Sequence, residues 1–204
     1  APGQYMWAGI GDTYAKYYEA LISSRDERLE HFTAVGVAVS QMCRDPLLLY
    51  SAQALEDHKQ GLCTYAVEQV VLAIVVTTGI ASIFLTKDYT PDYNSGLAHA
   101  IFYALTAYPV IEERHLHGEV VAFGILIALL VDGQKEEFEK IYELNKSIGL
   151  PTRLSDIEIT PAQWEECLDR IPTMSDVAHY PYKVTRPMLE DAMKTLEERA
   201  VSHR

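Results

Sequence analysis

Val120 to Val131 reads VVAFGILIALLV, an unbroken run with no polar side chain. Its residues do not alternate, so it is not the half-buried strand that a period of two would indicate. Apolar on every face and bracketed by Glu119 and Asp132, it reads as a helix buried on all sides. It is shorter than the ~20 residues that a membrane span needs. The helix is expected to run from His117 to Val131 and to be closed by Asp132-Gly133. A second run, Val70 to Leu85 (VVLAIVVTTGIASIFL), lies between Glu68 and Lys87. It reads in the same way, as part of a buried helix from Tyr65 to Leu85.

Working outward from these two helices, almost everything is helical. Asp12 to Ser23 is expected to follow a Gly9-Ile10-Gly11 turn, with Asp12 capping its first turn. Arg28 to Arg44 and Pro46 to Lys59 come next; Pro46 takes a first helical position and Gly61 ends the second. Lys87 to Asn94 (KDYTPDYN) is a polar loop, and Ser95 to Tyr108 is a helix that Pro109 helps to end. Lys135 to Ile148 is amphipathic, with Gly149 at its C-terminal cap. Thr160-Pro161 starts another helix, and Thr185 to Ala200 closes the chain. No alternating stretch sits between hairpin turns, so no sheet is expected. The fold class is therefore all-α, a multi-helix bundle, with residues 1–204 as a single domain. Gly36 and Gly79 fall inside helical patterns. Each costs about 1 kcal/mol relative to Ala, a cost that close helix packing makes tolerable.

Composition narrows the function. The 204 residues are 49% hydrophobic and carry a formal net charge of -12. Such an acidic surface repels phosphate backbones and anionic headgroups, so neither nucleic acid nor membrane is expected as a partner. Cys43, Cys63 and Cys167 are scattered, with no CxxC pair. That pattern fits buried thiols in a reducing, cytoplasmic compartment. Ala1-Pro2-Gly3-Gln4 has no basic n-region and no initiator Met, which reads as a piece numbered from its own first residue. No GxGxxG follows a strand and no GxxxxGK[ST] is present. A nucleotide-binding domain is therefore expected to be absent from this chain.

Three segments can carry chemistry: Gly9-Ile10-Gly11-Asp12, then Asn94-Ser95-Gly96-Leu97-Ala98-His99-Ala100, then His115-Leu116-His117-Gly118-Glu119. Each puts a metal-capable side chain at or near a helix start. The positive end of the His117 helix dipole disfavours an imidazolium there, and a neutral imidazole is the form that binds metal. One carboxylate and two imidazoles suit a divalent ion such as zinc, with one position left open for substrate. Taken singly, His99 also reads as a core histidine bonded to a carbonyl, and Asp12 as a plain helix cap. Asp57-His58 reads as a solvated helix end, and Tyr14, Tyr17 and Tyr18 as packing residues.

Three stretches resemble the iron-containing alcohol dehydrogenase and glycerol dehydrogenase superfamily: MWAGIGDTYAKYYEA, NSGLAHAIFYALT and HLHGEVVAFGILIALL. The resemblance runs from about residue 5 to residue 155 and covers the C-terminal helical half of that fold. It implies metal ligation by Asp12, His99 and His117, which are also the catalytic set. It implies NAD(P)-dependent oxidation of an alcohol or polyol, with the dinucleotide held by the absent N-terminal domain. The expected metal is Zn2+, with Fe2+ the alternative, and a homo-oligomer is expected. Lys16 stands where the iron-dependent branch places a further histidine. It is expected to swing away from the metal, to pair with Asp12, Glu19 or Glu119, or to be a solvated lysine with no role. Phe102 stands where glycerol dehydrogenases often show another histidine, which counts against glycerol itself. The resemblance does not fix His115, which reads as an exposed loop residue or, as the alternative, as a group supporting the metal ligands or facing the substrate. The competing reading is a non-catalytic helical interaction or oligomerisation module.

Overall fold

The computed structural model describes residues 2–87 and 93–201, and among them no strand forms. Helix α1 spans Gly3–Ser23 and α2 spans His31–Ser40. Helix α3 is Asp45–Lys59, and α4 is Tyr65–Leu85, interrupted by one wide π-turn at Ala73–Thr77. Then come α5, Leu97–Leu105, α6, Pro109–Arg114, and α7, His117–Val131. Helix α8 is Lys135–Ile148, α9 is Pro161–Cys167 and α10 is Arg186–Val201. Most of the expected Lys87 to Asn94 loop lies outside the described residues.

Helix α7 is the axle, with every side chain from Val120 to Leu129 buried. Helices α1, α5, α8 and α10 pack around it. The polar groups that this burial traps are paired. Tyr14 Oη donates to Asn145 Oδ1 at 2.8 Å, and Asn145 Nδ2 donates to the Ala122 and Pro151 carbonyls at 3.4 and 3.3 Å. Both ends of α7 match the sequence reading, as do those of α8, which ends at Gly149 with φ 78°. Burial of Tyr14 and Tyr18 confirms the packing role expected of them.

Several expectations change. Gly9 and Gly11 form no turn, because α1 already begins at Gly3. They are small so that other helices can approach: a Cβ on Gly9 would lie 3.1 Å from Ile74, and one on Gly11 2.4 Å from the Gly118 carbonyl. Asp12 is therefore mid-helix rather than a cap. Pro109 does more than end a helix, since it opens α6 from a first-turn position. Asp57 is not solvated: it is buried and accepts from Gln53 and from Thr64, at 2.6 and 2.5 Å, pinning α3 to the start of α4. Cys43 and Cys167 are buried as expected, but Cys63 is exposed. Gly36 is where close packing was expected, with a Cβ there only 2.8 Å from Phe84; around Gly79 the space is open.

The largest departure is α4. One face (Val70, Ala73, Ala81, Leu85) is built into the core, while Val75 and Ile83 are 66% and 67% exposed. Helix α3 covers its first half and α2 its second, and nothing among the described residues covers the outer face. Apolar composition on all sides sets a demand for cover without saying where that cover comes from. At 21 residues and mean hydropathy 2.0, α4 is the one helix among the described residues long and apolar enough to cross a membrane. The apolar run alone reads as too short to do so. Its inner face is core, however, and moving it into a bilayer would expose that core to water.

Candidate metal centre

Two close helix approaches build the site. Glycines without side chains let α1 and α7 touch backbone to backbone: a Cβ on Gly118 would lie 2.1 Å from the Ala8 carbonyl and 3.1 Å from Asp12 Cβ. Asp12 thus stands beside the first residue of α7, His117. Farther along α7, a Cβ on Gly124 would lie 2.8 Å from the Ala98 backbone. This approach seats α5 with His99, its third residue, over the same point. The sequence separation of 87 residues between Asp12 and His99 (99 − 12) is closed by these contacts.

One ligand-capable atom from each of Asp12, His99 and His117 lies within 4.8 Å of the others. Asp12 Oδ1 is 3.5 Å from His99 Nε2 and 3.4 Å from His117 Nε2. A tetrahedral ion with bonds of about 2.1 Å separates its donors by about 3.4 Å. The set therefore fits a divalent metal in chemistry and in spacing. Burial raises the Asp12 pKa, but His117 and His99, with help from Lys16, outweigh it and hold the carboxyl well below the usual carboxylate range. Asp12 is anionic at any ordinary pH. The His117 side chain is 42% exposed, so this imidazole faces the open side and is not a core histidine.

Glu19, which the sequence reading raised only as a partner for Lys16, organises the site. It is fully buried. Its Oε1 accepts from the His99 backbone N–H at 3.1 Å, and its Oε2 sits 2.6 Å from His99 Nδ1. A carboxylate at Nδ1 keeps a proton there, so Nε2, which faces Asp12, is the nitrogen left for a metal once the ring is neutral. Burial alone would lower the His99 pKa; Glu19 and Asp12 override it and push it up to about 9. The available signal was spacing. Asp12, Lys16 and Glu19 follow one another by four and three residues, one stripe along α1.

Lys16 turns away from the three donors, its Nζ donating to the Asn94 carbonyl at 2.6 Å. It is 6% exposed, so it is not a solvated lysine. His115 is not an exposed loop residue: its side chain is 7% exposed and its Nδ1 lies 2.9 Å from Glu119 Oε1. That contact joins the capping of α7, where Glu119 Oε2 accepts from the Leu116 N–H at 3.1 Å. Phe102 packs edge-on against the His117 ring, centroids 4.4 Å apart, and forms an apolar wall.

Comparison with known proteins shows the family. No family model matches the chain. It is 33% identical over 202 residues to hydroxycarboxylate dehydrogenase A of Escherichia coli, covering 97% of this chain and 54% of that one. It is 31% identical over 180 residues to glycerol dehydrogenase of Thermotoga maritima, covering 82% and 45%. The crystal structure of a probable glycerol dehydrogenase from Sinorhizobium meliloti superposes with a TM-score of 0.83 at 29% identity, covering 100% of this chain and 57% of that one. The chain spans about half the length of these relatives, and that half is all-helical. It is homologous to the glycerol and hydroxycarboxylate dehydrogenases and matches the C-terminal helical part of the iron-containing alcohol dehydrogenase superfamily.

Proposed function

We propose that this chain is the metal- and substrate-bearing half of a nicotinamide-linked dehydrogenase that oxidises an alcohol or polyol. The observation that carries the reading is the convergence of Asp12, His99 and His117 from three helices within 4.8 Å, with Glu19 fixing the tautomer of His99. Asp12, His99 and His117 are the metal ligands in this reading, and they leave one position open. Bound there, a divalent ion would supply Lewis acidity to the substrate hydroxyl and lower its pKa. The chain's own residues do the rest. Asp12 stays anionic, Glu19 holds the His99 proton at Nδ1, and Phe102 shields one flank from water. The NAD(P) comes with the other half of the enzyme, as the all-helical fold offers no strand-to-helix phosphate loop. Lys16 is not a ligand in this reading, because its Nζ is committed to Asn94. Three ligands, with no fourth among the described residues, favour zinc over iron.

Homo-oligomer formation follows the uncovered face of α4. A purely non-catalytic module would have His117 in the core, and its exposure speaks against that. The test is calorimetric titration of the chelator-treated chain with zinc. One ion per chain is expected, with binding abolished in Asp12→Ala and His117→Ala while the helical circular dichroism is kept. Wild-type stoichiometry in both variants would refute the assignment.

A further inference from the structure

Beside the metal centre lies a cavity of about 480 Å³, lined by Lys16, Ser95, Asn94, His99, Tyr103 and the loop 174–176. Lysine is almost never buried unless paired, and Lys16 is 6% exposed. Among the described residues no carboxylate is in ion-pair contact with it; its hydrogen bond goes to the neutral Asn94 carbonyl. An ammonium has three protons to donate, so two remain uncommitted at the cavity wall. The same wall carries two more buried groups with unused capacity, Ser95 Oγ and Asn94 Oδ1, and Ser95 is itself 6% exposed. A buried polar atom without a partner costs free energy. Three such groups around one cavity mark the place of a polar ligand.

We propose that Lys16, with Ser95, forms a carboxylate-binding subsite, with Asn94 Oδ1 beside it to accept a substrate O–H, and that the substrate is therefore a 2-hydroxycarboxylate. The proposal rests on the metal-centre reading for the place of the hydroxyl, and the carboxylate end is argued from the cavity. Lys16 lies four residues beyond Asp12 on α1, about 6 Å of helix rise. A small hydroxy acid has that reach: its hydroxyl lies against the Asp12, His99 and His117 cluster and its carboxylate against Lys16 Nζ and Ser95 Oγ–H. Asp176 also lines the cavity and disfavours a second anionic group, so a monocarboxylate fits better than a dicarboxylate. A neutral polyol offers Lys16 no anionic partner in the cavity, and a site built for a polar partner discriminates strongly against analogues that lack it.

The experiment uses the zinc-loaded chain and two small probes, glycolate and 1,2-ethanediol, which differ only in carboxylate against hydroxymethyl. Binding is followed by calorimetry and by NMR shifts of the Ser95 and His99 amides. Glycolate is expected to bind at least tenfold more tightly than 1,2-ethanediol. In Lys16→Met, similar in length and uncharged, that preference is expected to vanish, while zinc affinity is kept or tightened because a cation has left the neighbourhood of a dication. Ser95→Ala should weaken glycolate severalfold and leave 1,2-ethanediol unchanged. Equal affinity for the two probes, failure of glycolate to bind, or a glycolate preference that survives in Lys16→Met each overturns the proposal. If zinc does not bind but glycolate still binds in a Lys16-dependent way, the metal reading falls and the carboxylate subsite stands.

Discussion

Glu19 is a carboxylate sealed from water, and what keeps it there is two hydrogen bonds to a single residue, His99. The pairing makes two expectations concrete. Glu19→Gln keeps the shape and loses the charge, so His99 is no longer held with Nε2 as the nitrogen left for a metal. Zinc affinity should fall about 10–100-fold with little change in helix content, as a calorimetric titration of wild type and variant will show. The second concerns pH in the metal-free chain. The folded His99 pKa is raised to about 9 from 6.5. Its charged contacts therefore stabilise the fold in full below pH 6.5, and that contribution is lost as pH rises through 9. The melting temperature of the chelator-treated chain should decline between about pH 7 and 10, and the decline should flatten in Glu19→Gln. An unchanged slope would separate His99 from Glu19 energetically. At pH 7, zinc uptake should release about one proton from His99, visible as a dependence of the binding heat on buffer ionisation enthalpy.

At the scale of helices, the glycines decide which elements touch. Gly118→Ala puts a Cβ 2.1 Å from the Ala8 carbonyl. Neither partner can move without parting α1 from α7, so a loss of about 1–3 kcal/mol or more is expected. Zinc binding should weaken with it, because the same contact spaces Asp12 from His117. Gly79→Ala meets nothing within 4 Å in the interior of α4 and should gain about 1 kcal/mol. Thermal unfolding of the two variants should therefore shift in opposite directions. The contrast also explains what the sequence could tell. Helices α7 and α8 were legible to the residue, because continuous apolarity, Asp132-Gly133 and Gly149 are local signals. The start of α1 was not, because Gly9 and Gly11 look like a turn until Ile74 and Gly118 are known to press on them. Likewise Asp12, His99 and His117 could be named from motifs, but Glu19 becomes visible only once α5 lies across α1. The free outer face of α4 was illegible for a related reason: hydropathy reports how apolar a helix is and says nothing of how many neighbours it has.

For the molecule as a whole, two features look outward. One is the candidate metal centre, which in the proposed function binds a hydroxyl, while nothing among the described residues accepts its hydride. The described residues form no strand, hence no strand-loop-helix cradle for a pyrophosphate. The chain alone should show no dehydrogenase activity and no measurable heat on titration with NADH, and submicromolar affinity would contradict this. The other feature is the outer face of α4. Leu72, Val75, Val76, Ile80 and Ile83 are 44%, 66%, 47%, 41% and 67% exposed along one helix, a contiguous apolar strip of the kind that marks an interaction surface. The rest of the surface carries a charge of -12, which drives copies apart unless an apolar contact outweighs it. A two-fold pairing needs only this one patch on each copy. We therefore expect the chain to self-associate through α4, reversibly with concentration. Val75→Glu with Ile83→Glu places two more negative charges on each copy of the strip. Sedimentation velocity should then show the double variant as a monomer at concentrations where the parent chain is associated. Zinc stoichiometry should be the same in both, because neither residue touches Asp12, His99 or His117. A parent chain that stays monomeric, or a double variant that associates equally well, would remove α4 as the contact between copies.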